Sequence, residues 1–156
     1  MIVAFTGHRP SKLGNEYEIG PIRTKIRAAI RAKLEELKPE KVISGMALGV
    51  DQDAAEIALE LGIPFIAAIP FKGQSAVWPT SSQTSYKRLL AKAAEVKVIS
   101  PGGYSSQKML KRDAWMVDNA DLLIAVWDGT SGGTGHTVHY AEGVKKTIFR
   151  INPKAL

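Results

Sequence analysis

The stretch from residues 41 to 61, KVISGMALGVDQDAAEIALEL, sets a pattern that recurs along the 156-residue chain. Its first four residues, Lys41 to Ser44, are short, apolar and partly β-branched, which is typical of a strand buried on both faces. A turn with two glycines follows, and the residues from Gly49 to Leu61 then have a helical pattern. The stretch therefore predicts one unit of strand, loop and helix.

The same unit is found on both sides of this stretch. Strands are predicted at Ile2–Phe5, Lys41–Ser44, Pro64–Ile69, Val96–Ser100, Leu122–Trp127 and Thr147–Ile151. Helices are predicted from Pro21 through Leu37, where Ile22, Ile26, Ile30 and Leu34 recur at helical spacing, and at Gly49–Leu61, Ser81–Ala94, Gln107–Asn119 and Thr137–Lys145. This alternation predicts a single α/β domain of three layers over residues 1–156, with a mostly parallel sheet of about six strands and helices on both faces.

Composition excludes several classes of protein. Hydrophobic residues make up 45% and charged residues 23%, as in ordinary globular proteins. The chain has no cysteine, which excludes disulfides, thiolate zinc sites and cysteine nucleophiles. Apolar stretches such as Ile63 to Phe71 are far shorter than a membrane span of about 20 residues, and no export signal is evident. We expect a cytoplasmic protein, whose net charge of +6 favours an anionic partner.

The loops that follow the strands hold most of the residues that are candidates for binding a ligand. In open α/β sheets, ligands bind outside the carboxyl ends of the strands. The first, second, third and fifth predicted strands are followed by residues 6–10 (TGHRP), 44–51 (SGMALGVD), 70–74 (PFKGQ) and 128–136 (DGTSGGTGH), respectively. The sequence therefore predicts a ligand site on this one rim.

Two glycine-containing loops are candidates for phosphate and ribose. Gly132, Gly133 and Thr134 precede a predicted helix start, where glycine allows close approach and free amides favour an anion; the alternative is a plain turn. The loop after the second strand repeats this geometry with Gly45, Met46, Ala47 and Gly49, and its Asp51 is placed either to cap the helix or to contact a ribose hydroxyl. Neither loop is a Walker A sequence or a GxGxxG fingerprint, which disfavours an NTPase or a conventional dehydrogenase.

The loop after the first strand offers Gly7, His8 and Arg9. The guanidinium of Arg9 has the geometry to hold a phosphate with two hydrogen bonds, and the imidazole of His8 to stack or donate. The alternative for this pair is an ion pair that fastens the loop.

The loop after the third strand provides a candidate base site. Lys72, Gln74 and Trp78 are placed to close over a base, since indole stacks on any π face and an amide matches the polar edge of a base. The alternative is a tryptophan that covers an edge of the core.

Arginines elsewhere leave two possibilities open. Arg112, on a predicted helix with Trp115 and Met116, either reaches the rim or pairs with a neighbouring acid such as Asp113 or Asp118. Arg23, Arg27 and Arg31 line one side of the first long helix, and this arrangement fits either a nucleic-acid backbone or, more commonly, a solvated face.

The histidines do not define a metal site. His136 and His139 have the spacing of a metal pair, but no third ligand is evident, so a structural role is favoured. We predict no metal and no cofactor, with a nucleotide as the ligand.

Four motifs together resemble the YpsA-like branch of the SLOG superfamily, and the short length is closest to its compact YoqJ-like members. They are residues 6–10, residues 44–51, residues 68–71 with Gln74, and residues 120–127. The resemblance implies a Rossmann-like fold that holds a nucleotide or nucleotide derivative along the rim, frequently in a homodimer or higher homo-oligomer.

The superfamily also contains the Lonely Guy phosphoribohydrolases and the DprA single-strand DNA-binding proteins. The glycines of residues 131–136 are similar to the PGGxGTxxE motif of the Lonely Guy enzymes, and Arg112 resembles the upstream arginine of those enzymes. The glutamate position of the motif, however, falls on His139. A hydrolase reading therefore requires Glu142 or Asp128 as a replacement. Residues 44–51 are similar to a loop of the DprA proteins, which use larger surfaces to bind DNA.

These observations lead to three function hypotheses. The first is a nucleotide-binding module that senses or sequesters its ligand, for which a signalling nucleotide in phage–host conflict is a candidate. The second is an N-glycosidic hydrolase or ribosyl transferase that acts on nucleotides. The third is DprA-like binding of single-stranded DNA.

Overall fold

Strands and helices alternate strictly in the computed structural model, which describes all 156 residues. The strands are β1 (Ile2–Gly7), β2 (Lys41–Ser44), β3 (Phe65–Ile69), β4 (Glu95–Val98), β5 (Leu122–Val126) and β6 (Thr147–Ile151). The helices are α1 (Pro21–Leu37), α2 (Val50–Glu60), α3 (Thr80–Lys92), α4 (Ser106–Asp118) and α5 (Gly133–Gly143). Short 3-10 helices occupy Pro10–Lys12 and Pro153–Ala155.

The strands form one sheet in the order β4-β3-β2-β1-β5-β6, and every neighbouring pair is parallel. In the centre of the sheet, Ala4 lies opposite Ile43 on one side and Leu123 on the other. Strands β3 and β5 are buried along their whole length, because helices cover both faces of the sheet. The α/β class and the parallel sheet predicted from the sequence are confirmed.

The helices pack as two unequal layers. On one face, α1, α2 and α3 contribute to a core cluster of 22 buried residues that includes Ile26, Ile30 and Leu34. On the other face, α4 and α5 contribute Met116, Val117 and Ala141, among others, to a smaller cluster of nine. Burial of one such isoleucine or leucine stabilises the fold by about 1.5–3 kcal/mol. The spacing of the α1 isoleucines therefore corresponds to the core-facing stripe of that helix.

Helix α1 begins at Pro21, as predicted, and an acidic side chain from the preceding loop caps it. Gly20, the residue before the helix, has no side chain to cap it. Instead, the carboxylate of Glu16 accepts hydrogen bonds from the backbone amides of Gly20, Ile22 and Arg23 at 3.0, 3.0 and 2.9 Å. Glu16 thus satisfies amides that have no partner within the helix.

Three predicted elements need correction. Strand β6 was expected to be buried on both faces, but three of its five residues are exposed, because it is an edge strand. The fourth strand was expected to span Val96–Ser100 and to be buried on both faces, but it spans Glu95–Val98 and all four residues are exposed, because it is an edge strand. The last helix begins at Gly133, four residues before the predicted Thr137. Glycine is a poor helix former, so the sequence pattern favoured a loop where the helix has already begun. The other bounds agree within two residues.

None of the five helices combines the length and apolar character that a membrane span requires.

Candidate functional site

A cavity of about 460 Å³ opens at the carboxyl ends of β1, β2 and β5. Strand β1 lies between β2 and β5, so the chain order reverses direction across the sheet at this point, which is where open α/β sheets bind ligands. We call this space the first cavity. Its lining includes Thr6, Gly7, His8, Arg9, Ser11, Lys12, Ala47, Asp51, Tyr104, Ser106, Met109, Leu110, Arg112, Asp113, Gly132, Gly133 and Thr134.

The end of β1 packs too tightly for any residue larger than glycine at position 7. A Cβ atom there would lie 2.4–2.8 Å from the side chain of Val50, the first residue of α2. Gly7 therefore lets the amino end of α2 approach the end of β1.

The side chain of His8 fastens the loop after β1 to the loop after β5. It is buried, and its Nε2 lies 2.9 Å from Oδ1 and 3.1 Å from the backbone nitrogen of Asp128. Burial lowers the pKa of His8, although the neighbouring Asp128 opposes that shift. The fastening role, which the sequence left as an alternative to ligand contact, is the one that this side chain fills in the structure.

Asp128 is itself fully engaged. Its Oδ1 accepts hydrogen bonds from the hydroxyl and the amide of Thr130 at 2.5 and 3.0 Å, and its Oδ2 lies 3.3 Å from Nζ of Lys154. The Thr130 hydroxyl is the main cause that lowers the pKa of Asp128, with His8 adding to it. Asp128 is thus an ionised anchor of the loop and is not part of the lining of the first cavity.

Arg9 is an exposed cation of the first cavity. Its guanidinium lies within 4.0 Å of no carboxylate, unlike Arg112, which pairs with Asp113 at 2.8 Å. A cation at a cavity wall without an acidic partner is available for an anionic ligand. Lys12 lines the same wall and donates to the hydroxyl of Thr130 at 3.0 Å and to the carbonyl of Ser131 at 2.7 Å.

The glycine loop delivers the amino end of α5 to the first cavity. Gly132 precedes the helix with φ 142°, a conformation that favours glycine, and a Cβ on Gly133 would meet nothing within 4 Å. The indole nitrogen of Trp127 donates to the carbonyl of Thr130 at 2.8 Å and braces the loop from behind. The first amides of α5 have no partner within the helix and carry its positive dipole end. This combination suits an anion such as a phosphate.

Gly45, Arg112 and Asp51 form a tightly packed group under the first cavity. A Cβ on Gly45 would lie 2.7 Å from Nη1 of Arg112 and 2.9 Å from Oδ2 of Asp51. Arg112 is buried, and its Nη1 donates to the carbonyls of Gly45 and Ala68 at 2.5 and 3.1 Å. Arg112 therefore reaches the rim and also pairs with Asp113, so both alternatives drawn from the sequence hold.

Asp51 presents a buried carboxylate to the first cavity. It is only 8% exposed, and burial raises its pKa to about 6, even though the charge of Arg112 opposes the shift. Its Oδ2 accepts a hydrogen bond from the amide of Ala47 at 3.3 Å, whereas Oδ1 accepts none from the protein. One oxygen of this carboxylate is therefore free to accept from a ligand hydroxyl.

A second cavity of about 600 Å³ adjoins the first. The two share Arg9, Tyr104 and Met109, and the second is lined mainly by apolar and aromatic groups, among them Phe71 and Trp78. The ring of Tyr104 packs edge-on against Phe71 with centroids 5.8 Å apart. A ligand that spans both cavities would therefore pass Arg9 and place its apolar end among aromatic rings.

Gln74 forms part of the wall of the second cavity with both ends of its amide occupied. Its Nε2 donates to the carbonyl of Gly45 at 3.0 Å, and its Oε1 accepts from the hydroxyl of Tyr86 at 3.1 Å. Burial raises the pKa of Tyr86 to about 12, so this hydroxyl remains a donor. Trp78 is half-buried and packs edge-on against Tyr86 at 5.2 Å, and Lys72 is exposed at the rim.

The model of the YspA SLOG family (YpsA) matches residues 3–154. The chain belongs to the YspA SLOG family. It is 33% identical to the uncharacterized SPbeta prophage-derived protein YoqJ of Bacillus subtilis (strain 168), over 85% of this chain and 91% of that protein.

Two solved structures share the fold of this SLOG chain. DNA processing protein A from Helicobacter pylori, described by its single-stranded DNA binding mode, superposes with a TM-score of 0.70 at 18% identity over 97% of this chain, which spans 65% of that protein. The molybdenum cofactor carrier protein from Chlamydomonas reinhardtii superposes with a TM-score of 0.61 at 16% identity, over 99% of this chain and 78% of that one. The Rossmann-like fold is confirmed by these likenesses.

The structure divides the predicted site residues of the SLOG chain into three groups. The first cavity is lined by Gly7, His8, Arg9, Ala47, Asp51, Arg112, Gly132, Gly133 and Thr134. The second is lined by Arg9 again and by Lys72, Gln74 and Trp78. Outside both lie Gly45, Met46, Gly49, Asp128 and Glu142. Among these, Met46 is completely buried in the core.

Glu142 is not brought to either cavity. It lies nine residues after Gly133 on α5, which corresponds to about 14 Å along the helix axis. Its carboxylate accepts from Arg150 at 2.7 Å. Because Glu142 lies this far from the glycine loop, it is poorly placed to replace the glutamate of the Lonely Guy motif.

The arginine stripe of α1 packs against α2 and is neither a solvated face nor a free cationic surface. Arg23 donates twice to Asp53, which is completely buried, and Arg27 donates to the same carboxylate at 2.8 Å. Arg31 pairs with Glu60. The positive charges of this stripe are therefore neutralised by α2 and are not available to a nucleic-acid backbone.

The histidines of α5 are exposed, and His139 packs edge-on against Trp127. The structure brings no three histidine, aspartate or glutamate side chains together in a way that would hold a metal ion.

The sequence reasoning missed several residues of the first cavity: Ser11, Lys12, Tyr104, Ser106, Met109, Leu110 and Asp113. Five of them follow β4: Tyr104 lies in the loop after this strand, and Ser106, Met109, Leu110 and Asp113 lie on α4. The rule that ligands bind at the carboxyl ends of the strands was not applied to the loop after β4. That rule would have pointed to the glycine pair at 102–103 and to Tyr104, since the carboxyl end of every parallel strand lies on the same rim.

Proposed function

We propose that this chain binds a nucleotide or nucleotide-derived ligand across the two cavities. The observation that carries the proposal is the pairing, within one cavity, of an unpartnered guanidinium at Arg9 with the amino end of α5 at Gly132 and Gly133. Both groups favour the same chemistry, a phosphate, and they do so through independent physical effects.

The remaining parts of a nucleotide have matching surfaces. The free oxygen of Asp51 is an acceptor for a ribose hydroxyl, beside the proposed phosphate position. The aromatic and apolar lining of the second cavity, including Phe71, Trp78 and Tyr104, suits a base. Both cavity volumes fall within the range of about 300–1,000 Å³ that is usual for small-molecule sites.

The likeness to a prophage-derived protein supports a finer proposal, that the bound nucleotide is a signal which the protein senses or sequesters. A protein that only binds its ligand needs no nucleophile. Arg9, Asp51 and the amino end of α5 provide the contacts that such binding requires. The likeness to DNA processing protein A supports single-stranded DNA as a competing ligand. Against DNA stands the ion-pairing of Arg23, Arg27 and Arg31 with α2, which removes the cationic track considered from the sequence.

A second candidate function, cleavage of the bond between base and ribose, rests on Asp51. A carboxyl with its pKa raised to about 6 in a cavity wall is suited to act as an acid or base near neutral pH. This reading replaces the candidates Glu142, which lies far from the cavity, and Asp128, whose lowered pKa and full set of hydrogen bonds fit an anchor. Release of free base separates this candidate from binding alone.

The experiment that tests the binding proposal is calorimetry on paired variants. Gly133→Glu places a negative charge at the amino end of α5, where a Cβ has free space, and Gly133→Gln adds the same bulk without the charge. We expect Gly133→Glu to lose nucleotide affinity and Gly133→Gln to retain more of it. Arg9→Ala removes a charged hydrogen-bond partner worth about 1.5–3 kcal/mol, so affinity should fall by roughly tenfold or more.

Lys111→Ala, which removes an exposed positive charge on α4 outside both cavities, is the control for Arg9→Ala. Equal nucleotide affinity of the wild type, Arg9→Ala and Gly133→Glu would contradict the proposed phosphate position.

A further inference from the structure

Strand β4 leaves an open edge of the sheet that no other element covers. It is the outermost strand on its side, and all four of its residues are exposed. Val96 and Val98 have 46% and 48% of their surface open to solvent. An uncovered edge strand with apolar residues is a template for pairing with another strand.

The backbone groups that point away from the sheet belong to the two valines. The amide of Ile99 donates to the carbonyl of Ile69 on β3 at 2.8 Å, and Val98 is the register partner of Ile69. Ile99 thus directs its amide toward β3. Because successive residues of a strand direct their amides and carbonyls to alternate sides, Val98 directs its groups outward, and so does Val96, two positions earlier. The outward groups of β4 are therefore free to pair with a second strand.

The order of side chains, Glu95-Val96-Lys97-Val98, makes this edge complementary to itself when two copies run antiparallel. If the two-fold axis passes through Val96, Val96 of one copy lies opposite Val96 of the other. Glu95 of each copy then lies opposite Lys97 of the other copy. An axis at Lys97 would place lysine against lysine, and an axis at Glu95 would place glutamate against glutamate. Opposite charges directly across an antiparallel pair attract, and like charges repel.

The hydrogen-bond pattern agrees with the register that the charges select. With the axis at Val96, the outward amide and carbonyl of each Val96 bond to those of the other copy. Glu95 and Lys97 then fall at the positions without hydrogen bonds, where directly opposed side chains are closest. A lysine on an edge strand commonly prevents pairing, but a glutamate two positions earlier turns the same lysine into a partner.

We propose that two copies of this chain associate through antiparallel pairing of their β4 strands about a two-fold axis at Val96, which joins two six-stranded sheets into one. The occupant of the edge is thus a second copy. This inference is independent of the proposed nucleotide site, which lies at the carboxyl ends of β1, β2 and β5.

Charge exchange at positions 95 and 97 tests this pairing. Glu95→Lys alone puts lysine opposite lysine in both cross-strand pairs, and Lys97→Glu alone puts glutamate opposite glutamate. All of these side chains are exposed, so the variants should fold like the wild type, which circular dichroism checks. We expect the wild type to sediment at twice its 16.9 kDa mass and each single variant to dimerise about tenfold more weakly or worse.

Two restorations make the test specific for this register. The double variant Glu95→Lys/Lys97→Glu should dimerise like the wild type, since it exchanges the charges without losing their complementarity. An equimolar mixture of the two single variants should form a heterodimer, because each then meets opposite charges on the other. A wild type that sediments only as a monomer at its highest soluble concentration, or a dimer that both single variants leave unchanged, would overturn the proposal.

Discussion

Replacing Asp51 with asparagine should make the protein more stable at neutral pH. The carboxyl of Asp51 is buried at the wall of the first cavity, and burial raises its pKa from 3.8 to about 6. In the unfolded chain the same carboxyl ionises at its ordinary pKa. The folded protein therefore holds an anion at neutral pH at a cost that the neutral amide of asparagine avoids. Asparagine also keeps an oxygen to accept from the amide of Ala47.

The size and pH dependence of this effect follow from the two pKa values. A difference of about 2 pKa units corresponds to about 3 kcal/mol, at 1.36 kcal/mol per unit. Because the folded pKa is the higher one, the wild type keeps its full stability below about pH 4 and loses this 3 kcal/mol as pH rises from about 4 to 6. The advantage of Asp51→Asn should therefore be complete above pH 6 and vanish near pH 4.

Urea unfolding of the wild type and Asp51→Asn between pH 4 and pH 7.5 measures this difference. Thermal unfolding at pH 7.5 should show a rise in Tm of roughly 6–12 °C for a protein of this size. Glu35→Gln removes a charge from an exposed position of α1 and should change stability by less than about 0.5 kcal/mol at every pH. Equal stability of Asp51→Asn and the wild type at pH 7.5, or a difference that does not depend on pH, would refute the reasoning.

Two other substitutions test the packing around the site. Asp53→Ala leaves Arg23 and Arg27 without their buried partner and should cost about 3–5 kcal/mol in urea unfolding; a loss below 1 kcal/mol would show that the ion pairs are dispensable. Gly7→Ala places a Cβ 2.4–2.8 Å from Val50 and should cost about 1–3 kcal/mol. The double variant Gly7→Ala/Val50→Gly removes all the side-chain atoms that the new Cβ would meet and should recover part of that loss, and strictly additive losses would contradict the steric explanation.

The order and type of the elements could be predicted because each buried strand is a short apolar run and α1 has a clear stripe of isoleucines and leucine. The exposure of β4 could not be predicted. A run such as EVKV at residues 95–98 has the alternation of a strand, but alternation does not distinguish an edge strand from a central one. That distinction depends on which strand pairs with which, and it was decided by the topology of the whole sheet.

The rim of glycine loops could be predicted because parallel strands bring their carboxyl ends to one edge. The long-range contacts at that rim could not. Lys12 reaches Thr130 from 118 positions earlier in the sequence, and no local pattern indicates such a contact. The arginines of α1 were likewise open to several interpretations, because their acidic partners lie on α2, and sequence spacing does not reveal which helices pack together.

The most direct test of the central claim is to incubate the purified protein with nucleoside monophosphates, ADP-ribose, cyclic nucleotides and single-stranded oligonucleotides, and to quantify retained ligand and free base by mass spectrometry. The account predicts that the wild type retains a phosphate-bearing nucleotide, recovered intact after denaturation, and that Gly133→Glu retains much less. Catalytic accumulation of free base would favour the second candidate function. Retention of no nucleotide by the wild type, or equal retention by Gly133→Glu, would contradict the account.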